Sequence, residues 1–554
     1  MRERRHWFTP KVQASVWVAA LATFYLLTGV GNRSETADGY WFAYDVEHRS
    51  LRQLLSGGHV RHLLFLPLFR GLHDIVGSIG IHAQAYDEIR TVSAVVAAAT
   101  LPLMFLVLRH RLDVSRFAAY AGAGALAVSH GFWRYANEAK VYPLAIMFIL
   151  LICWTGLDKR LSARSAVFAG AIAALGVLFV AEVASTLIAV SVALVLRRHI
   201  RHLIVYLATT GVIVVGVTLL LYLYVQPPDK GYVGYLMSAA KLEAGGSPSG
   251  FGAGNLVKGA IGFGQNVTAG NFLYANADVA KWLQAIFPGK SANLAYAGRQ
   301  AGTIAWVLST VLLVQLLIVA TVTLVATLSR PVRRPNSVTV AVAVWFATLG
   351  LFLLVREAGE VESWIPLLVP FWMLVAAFLF DRADLARLRR LVVLTLVLLA
   401  AFNSIGGMWT MRNRATDYNF QKARWLIANV HAGDTVLLAD DSKFFRYLRY
   451  YASAHVLDVQ CLYQLSGETL QALYAGAVDR SVRVYATADF FRPPESLAHR
   501  NPTGYHVVLR FGDSIRHNFR KVADDEFGGV YVHLRPVGPA RGASRPLPSS
   551  NPQC

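Results

Sequence analysis

The sequence has 554 residues, of which 55% are hydrophobic and only 16% charged, whereas soluble domains average about 25% charged residues. Apolar runs long enough to cross a hydrocarbon core of roughly 30 Å recur along most of the chain. These features exclude an ordinary soluble protein, and the three cysteines exclude a disulfide scaffold or a cysteine-based metal site.

The apolar runs predict a polytopic α-helical membrane protein with about eleven transmembrane helices. In chain order these helices are predicted at 12–31, 91–108, 115–131, 143–157, 165–180, 183–197, 203–225, 302–328, 338–355, 364–380 and 391–409. The first run follows a basic N-terminus but has no cleavage site for a signal peptidase, so we interpret it as a retained helix.

The net charge is +20, and the distribution of the positive residues along the chain agrees with the predicted topology. A cytoplasmic N-terminus places twenty Lys and Arg residues in the inward segments 1–11, 109–116, 158–164, 197–202, 329–337 and 381–390. The short outward segments contain only Arg134, Lys140 and Arg356. This asymmetry is typical of the positive-inside rule, and it argues against a nucleic-acid partner. It predicts an integral plasma (inner) membrane protein whose C-terminal part is extracytoplasmic, or periplasmic.

The outer loop 32–86 carries the acidic residues Asp38, Asp45 and Glu47 just after the first helix. A carboxylate at the membrane surface can act as a general base, or Asp38 and Asp45 can hold a divalent cation such as Mg²⁺ or Mn²⁺. Alternatively, these acids only solvate the loop or pair with nearby arginines. The stretch after them predicts interfacial helices, with Leu51, Leu54 and Leu55 on the apolar side.

Further along this loop, Arg61 and His62 lead into the apolar segment LLFLPLF. A guanidinium and an imidazole above an apolar groove suit a phosphate whose lipid tail lies in the membrane. The alternative is an anchor for this segment at the lipid headgroups.

Two more outward turns combine charges with aromatic residues. The first turn contains Arg134, Glu138, Lys140 and Tyr142, and the second contains Arg356 and Glu362. Rings that pack against a sugar and cations that hold its phosphate would explain both turns. Alternatives are an interfacial aromatic belt, internal ion pairs or a solvated turn.

The chain changes character after the last apolar run. Short apolar segments at Thr435–Asp440, His455–Val459, Val482–Thr487 and Tyr505–Arg510 predict strands, and Phe420–Val430 and Lys443–Ala452 predict helices. The predicted domains are therefore a transmembrane domain at 1–410, with outer loops 32–86 and 226–301, an extracytoplasmic α/β domain at 411–537 and a disordered tail at 538–554.

The acidic first loop, the W-x-x-A-x-E-x-x-x-Y turn from Trp133 and the late E-x-x-x-W turn resemble the GT-C superfamily of polyprenyl-phosphate-dependent membrane glycosyltransferases. That superfamily includes protein O-mannosyltransferases and aminoarabinose transferases. The resemblance implies a GT-C-like fold over about residues 10–410 and a first-loop acid, best matched by Asp38, as catalytic base or metal ligand. The chain departs from the family where Trp41 replaces the next acid and where Lys140 replaces the glutamate of an E-V-Y turn. Of the family's His-Pro-Pro-Gly-like segment it retains only His62.

The sequence therefore predicts an inverting glycosyltransferase that moves a sugar from a polyprenyl-phosphate donor to an acceptor on the outer membrane face. The catalytic candidates are Asp38, Asp45 and Glu138. The phosphate- and substrate-binding candidates are Arg61, His62, Arg134, Lys140, Tyr142, Arg356 and Glu362. Partners would be the lipid-linked donor, membrane lipid and a glycan, lipid or protein acceptor. A transporter or flippase for a lipid-linked or anionic solute is the alternative, and a non-catalytic assembly protein is a third reading.

Overall fold

The computed structural model describes residues 10–29, 31–33, 37–56, 62–226, 231–235, 252–286, 292–331, 335–439, 442–459, 466–493, 498 and 502–534. The chain forms two compact units. The first comprises Met1–Val30, Asp45–Ala280 and Gly298–Arg412, and the second comprises Gly31–Tyr44, Lys281–Ala297 and Asn413–Cys554. The domain boundaries drawn from the sequence stay a prediction.

All regular secondary structure in the described residues of the first unit is helical. Its helices, some of which continue into the second unit, are α1 (Pro10–Leu27), α2 (Ala37–His48), α3 (Leu51–Ser56), α4 (Phe65–Ser78), α5 (Ala85–His110), α6 (Arg116–Val128), α7 (His130–Ala136), α8 (Tyr142–Gly156), α9 (Ala163–Phe179), α10 (Thr186–Leu196), α11 (Ile200–Val225), α12 (Ala253–Val267), α13 (Ala277–Ile286), α14 (Ala292–Leu328), α15 (Ser337–Arg356), α16 (Leu368–Phe378) and α17 (Ala386–Asn403). Short 3₁₀ segments at Ala181–Ser185 and Val361–Leu367 connect some of them.

Six helices in the described residues are long and apolar enough to cross a membrane. They lie at Ala85–His110, Ile200–Val225, Asn293–Leu328, Ser337–Arg356, Val361–Arg382 and Ala386–Trp409. Shorter apolar helices occur at Ser15–Leu27, Tyr142–Gly156, Ala163–Phe179 and Ala181–Leu196. A mostly helical membrane protein is thus confirmed, while the number of eleven spans stays a prediction.

Burial differs strongly between these helices. Half of the apolar window in α5 is buried, whereas only 17% is buried in α11 and in α14. Small side chains such as Ala94, Ala97 and Ala98 let neighbouring helices pack closely on α5. The exposed faces of α11 and α14 carry Leu, Ile and Val, which are stable against lipid.

The second unit contains a five-stranded mixed sheet in the order β2-β1-β3-β5-β4. Its elements are α18 (Tyr418–Asn429), β1 (Thr435–Leu438), α19 (Ser442–Tyr451), β2 (His455–Asp458), α20 (Gly467–Arg480), β3 (Val484–Thr487), α21 (Ala488–Phe491), α22 (Pro502–Ile515), β4 (Phe519–Asp525) and β5 (Gly528–His533). Strands β2, β1 and β3 are parallel, and β5 is antiparallel to β3 and β4. Alternation of strands and helices explains the parallel part of the sheet.

The structure confirms three predicted strands and corrects one. β1, β2 and β3 fall inside their predicted segments, and α18 and α19 match the predicted helices to within two residues. The predicted strand Tyr505–Arg510 is wrong, because these residues belong to α22. Buried Gly504, Val508, Phe511 and Ile515 follow helical spacing, and they pack one face of α22 into the core of the second unit.

Candidate functional site

Helix α2 carries two of the predicted catalytic acids, Asp38 in its first turn and Asp45 seven residues later. Seven residues correspond to about two helical turns. The surroundings of the two aspartates differ. Side-chain exposure is 35% for Asp38 and 0% for Asp45.

In the second unit, Asp38 forms an ion pair with Arg446 of α19, Nη1 of the arginine donating to Oδ1 of the carboxylate. The guanidinium of Arg446 also lies over the Trp41 ring, 4.4 Å from its centroid. An arginine that combines a charged hydrogen bond with an aromatic face is held in a defined orientation. The Asp38 carboxylate therefore has a fixed partner from the C-terminal part of the chain.

The rest of segment 31–44 is built into the second unit by aromatic and polar contacts. Tyr40 is buried, with its ring centroid 4.8 Å from that of Tyr447 and 5.4 Å from that of Tyr451. Arg449 lies over the Tyr44 ring at 4.3 Å. The Asn32 side chain donates to the Thr416 carbonyl at 2.6 Å. These contacts give the start of α2 a rigid support.

In the first unit, Asp45 pairs with a residue just after α2, and Glu47 contacts the start of α5. Asp45 Oδ1 lies 2.9 Å from Nε of Arg49, one turn along the chain. Glu47 Oε1 accepts a hydrogen bond of 2.8 Å from the Ala85 amide at the start of α5. A carboxylate in that position satisfies an amide that has no partner within its helix. Both contacts are of the kind that stabilises a fold.

Helix α7 and the turn after it hold a buried pair, Arg134 and Glu138, joined at 3.0 Å. Burial raises the pKa of the Glu138 carboxyl above its usual value, and the charge and hydrogen bond of Arg134 oppose that rise. Arg134 also lies 5.5 Å from the centroid of the Tyr135 ring, which in turn packs edge-on against Tyr142 at 5.3 Å.

The second predicted turn meets the first one at Lys140. Its Nζ donates to Glu362 Oε2 at 2.8 Å, and the side-chain exposures are 3% for Lys140 and 26% for Glu362. The sequence predicted both turns as charged but did not predict this contact across 222 residues. The structure thus brings Lys140 and Glu362 together, and their pair is open on the Glu362 side.

Polar atoms around these pairs lie buried without hydrogen-bond partners among the described residues. They are His130 Nδ1, Asn137 Oδ1, Glu138 Oε2, Asn266 Oδ1 and Trp364 Nε1. Their elements, α7, α12 and the Val361–Leu367 segment, contact one another. Gly131 allows the close approach of α12, since a Cβ there would lie 2.0 Å from Asn266 Oδ1. Buried polar atoms of this kind are normally satisfied, so they are candidates to receive polar ligand groups.

Two of the remaining predicted residues, Arg356 and His62, belong to the first unit, and the third lies outside the described residues. Arg356 Nε is 3.7 Å from Glu357 Oε1, and its guanidinium lies 5.7 Å from the centroid of the Phe352 ring. The His62 ring packs edge-on against Phe65 at 6.3 Å. Arg61 falls outside the described residues.

The predicted divalent cation finds no three-ligand site in the described part of the chain. There, no group of three or more His, Cys, Asp or Glu side chains is arranged to hold a metal ion. Asp38 and Asp45 each pair with an arginine instead. The cation stays a prediction, and no chemical step below depends on it.

Similarity to known proteins supports the predicted class. The family described as "Protein O-mannosyl-transferase TMEM260 N-terminal domain" matches residues 65–218. ArnT from Cupriavidus metallidurans, solved with bound undecaprenyl phosphate, is similar at a TM-score of 0.53 and 13% identity, over 96% of this chain and 100% of that chain. The chain has the GT-C fold. The predicted resemblance to GT-C glycosyltransferases is therefore confirmed, and the family and fold similarities indicate a glycosyltransferase.

Two other solved structures show weaker similarity to this chain. The oligosaccharyltransferase of Archaeoglobus fulgidus has a TM-score of 0.47 at 12% identity, over 92% of this chain and 72% of that chain. The mycobacterial arabinofuranosyltransferase AftD has a TM-score of 0.38 at 16% identity, over 95% of this chain and 42% of that chain. No curated protein sequence matches significantly.

Arg446 is the residue that reasoning from the sequence missed. The available signal was the segment KFFRYLRYY of α19, in which arginines alternate with aromatic residues. That pattern is unusual for a helix that only covers a sheet, because arginine and tyrosine together are typical of binding surfaces.

Proposed function

We propose that this GT-C protein transfers a sugar from a polyprenyl-phosphate donor to a hydroxyl of a glycan, lipid or protein acceptor at the outer face of the membrane. The observation that carries the proposal is the group of two charge pairs, Arg134–Glu138, which is buried, and Lys140–Glu362, which is open on the Glu362 side. Arg134, Glu138 and Lys140 are buried, and Glu362 is partly exposed. Burying three charged side chains is costly, and a fold that keeps them is expected to use them for a ligand or for specificity.

The class of donor is supported by the comparison with ArnT. That protein was solved with undecaprenyl phosphate, and the present chain aligns with its whole length. A polyprenyl phosphate combines an apolar tail, which suits the exposed apolar helices, with a phosphate, which needs cationic groups. Lys140 and Arg134 are buried cations of the first unit that suit such a phosphate, and Arg356 and His62 are further candidates.

We assign Lys140 the leading role in holding the phosphate. Its ammonium is only 3% exposed and is paired with Glu362, which is itself 26% exposed. A phosphate oxygen can therefore share or replace the Glu362 carboxylate at the same ammonium. Glu138 is proposed to keep Arg134 in place, and Tyr135 and Tyr142 to pack against the donor.

We assign Asp38 as the general base, because its carboxylate is partly exposed whereas that of Asp45 is buried. The acceptor oxygen forms a bond to the anomeric carbon while the bond from that carbon to the phosphate oxygen breaks. The hydroxyl proton passes to Asp38, and the polyprenyl phosphate leaves with the bonding electrons. Direct displacement of this kind inverts the configuration of the sugar.

The proposal is tested with the full-length protein in lipid nanodiscs. Undecaprenyl phosphate is titrated to measure its Kd for the wild type and for Lys140→Met. Loss of a charged hydrogen bond predicts at least a tenfold weaker Kd, since such bonds contribute about 1.5–3 kcal/mol. Lys159→Met serves as a control, because that lysine pairs with Asp113 and is 54% exposed.

Transfer is measured with undecaprenyl-phosphate-linked mannose, glucose and aminoarabinose, radiolabelled in the sugar, and with a membrane extract as the source of acceptors. The proposal predicts that label leaves the lipid fraction with at least one donor. Movement of the intact donor across proteoliposomes without cleavage would indicate the transporter alternative instead. Equal affinity of the wild type and Lys140→Met for undecaprenyl phosphate would contradict the phosphate site.

A further inference from the structure

Helix α19 brings a charged side chain from the C-terminal part of the chain to the predicted base. Arg446 lies in the second turn of α19, which follows β1 of the mixed sheet. Its guanidinium is paired with Asp38 across 408 residues of sequence. The contact lies wholly inside the second unit, since segment 31–44 folds with residues 413–554.

We propose that Arg446 is a positioning residue for the glycosyl transfer, which holds the Asp38 carboxylate in the orientation needed to take the acceptor proton. This inference rests on the proposed function and deepens it. It gives the C-terminal α/β unit a direct part in the reaction: the unit supplies the residue that fixes the base.

The arrangement around Arg446 restricts both members of the pair. The Trp41 ring, one turn after Asp38 on α2, lies under the guanidinium at 4.4 Å. Tyr40 on the same turn is buried against Tyr447, the residue after Arg446. The side chains of Asp38 and Arg446 are thus restrained, and so are the backbones of α2 and α19 that carry them. Catalytic groups have to be held to within about 0.5 Å, and such support from a packed neighbour provides that precision.

A simple surface ion pair is the rival explanation, and such pairs contribute only about 0–1 kcal/mol to stability. The side-chain exposures argue against it. Arg446 is 20% exposed and Asp38 is 35% exposed, so the pair is largely shielded and yet open to a substrate. The stack on Trp41 adds a geometric restraint that a surface pair lacks.

The test compares Arg446→Ala, Arg446→Lys and the wild type in the sugar-transfer assay, at matched amounts of folded full-length protein. Arg446→Ala is expected to lower kcat about thirtyfold and to change the KM for the donor less than threefold. Arg446→Lys, which keeps the charge but not the planar fork, is expected to retain about a third of wild-type kcat. Adding guanidinium at about 50 mM is expected to raise the kcat of Arg446→Ala at least fivefold.

Two controls make the result specific. Arg449→Ala removes a neighbouring guanidinium of α19 that lies over Tyr44, and guanidinium should not raise its rate. Asp38→Asn lacks the carboxylate that Arg446 positions, so guanidinium should not restore it either.

The inference is overturned if Arg446→Ala keeps wild-type kcat. It is also overturned if Arg446→Ala and Arg446→Lys lose the same activity and guanidinium restores none of it, because the effect then comes from folding of the unit. A wild-type chain that transfers no sugar from any donor overturns the proposed function together with this inference. Transfer by the wild type with an unaffected Arg446→Ala overturns the inference alone.

Discussion

The two ends of helix α2 carry the same chemical pair in different surroundings. At its start Asp38 pairs with Arg446, and near its end Asp45 pairs with Arg49. The first carboxylate is 35% exposed and the second is fully buried. Since a base has to reach a substrate, exposure separates a carboxylate suited to chemistry from one suited to stabilising the fold.

The same comparison extends to the turn after α7. Arg134–Glu138 is buried on both sides, whereas Lys140–Glu362 is open on its acidic side. On α2 and in the turn after α7, then, one ion pair is buried (a closed pair) and the other has a partly exposed carboxylate (an accessible pair). A closed pair is expected to affect stability when it is broken, and an accessible pair is expected to affect binding or turnover.

The largest expected effect comes from the accessible end of α2. Asp38→Asn keeps the shape of the side chain but removes the base, and general base catalysis contributes about 10²–10⁴-fold to a rate. We expect kcat for sugar transfer to fall about a thousandfold, with thermal unfolding little changed. Radiolabelled sugar transfer and a thermal melt of the same sample measure the two quantities. A variant that transfers sugar normally would remove Asp38 from the mechanism.

The buried end of α2 should respond in the opposite way. Asp45→Asn leaves Arg49 without its buried carboxylate, and breaking one side of a buried pair costs about 3 kcal/mol. We expect a clear loss in the apparent free energy of unfolding in mixed micelles, and a kcat within about threefold of wild type per folded molecule. Asp74→Asn is the control, because its pair with Arg70 is exposed, with Asp74 57% accessible. If Asp45→Asn were stable but inactive, the roles of the two aspartates would be reversed.

Amino-acid composition and the spacing of hydrophobic residues were enough to predict the parts of the fold that depend on local sequence. Long apolar runs predicted the membrane helices, and short apolar segments such as Thr435–Asp440 predicted the parallel strands. The segment Tyr505–Arg510 misled because its Val-Val pair suits a strand, whereas burial of Val508, Phe511 and Ile515 along one side makes it a helix. Tertiary packing overrode local preference there.

The candidate site could be predicted only as separate pieces. The residue types in the outer turns indicated charge chemistry, and the family resemblance selected Asp38. The contacts Lys140–Glu362 and Asp38–Arg446 join residues 222 and 408 positions apart, so no local pattern encodes them. The distinction between Asp38 and Asp45 depends on burial, which is a property of the whole fold and not of helix α2 alone.

The smallest expected effect tests whether water reaches the buried side chains around the Arg134–Glu138 pair. Burial and the charge of Arg134 lower the pKa of His130 to about 3, from an ordinary value of 6.5. Between these pH values the unfolded chain binds a proton that the folded chain does not, so stability falls as the pH falls through this window. From pH 6.5 to pH 5 the loss amounts to about 1.6 kcal/mol, because the slope reaches 1.36 kcal/mol per pH unit only once the histidine of the unfolded chain is fully protonated. His130→Asn should lack this part of the pH dependence.

The measurement is the apparent free energy of unfolding of wild type and His130→Asn in mixed micelles at several pH values. Both chains retain His455, whose pKa is also lowered, by burial and by the charge of Arg449, so only the difference between them reports on His130. The stability advantage of the wild type over His130→Asn should shrink or reverse toward acid pH, because only the wild type has an imidazole that folding keeps neutral. Parallel curves would mean that His130 takes up its proton in the folded chain, and that water reaches the group of pairs around Arg134.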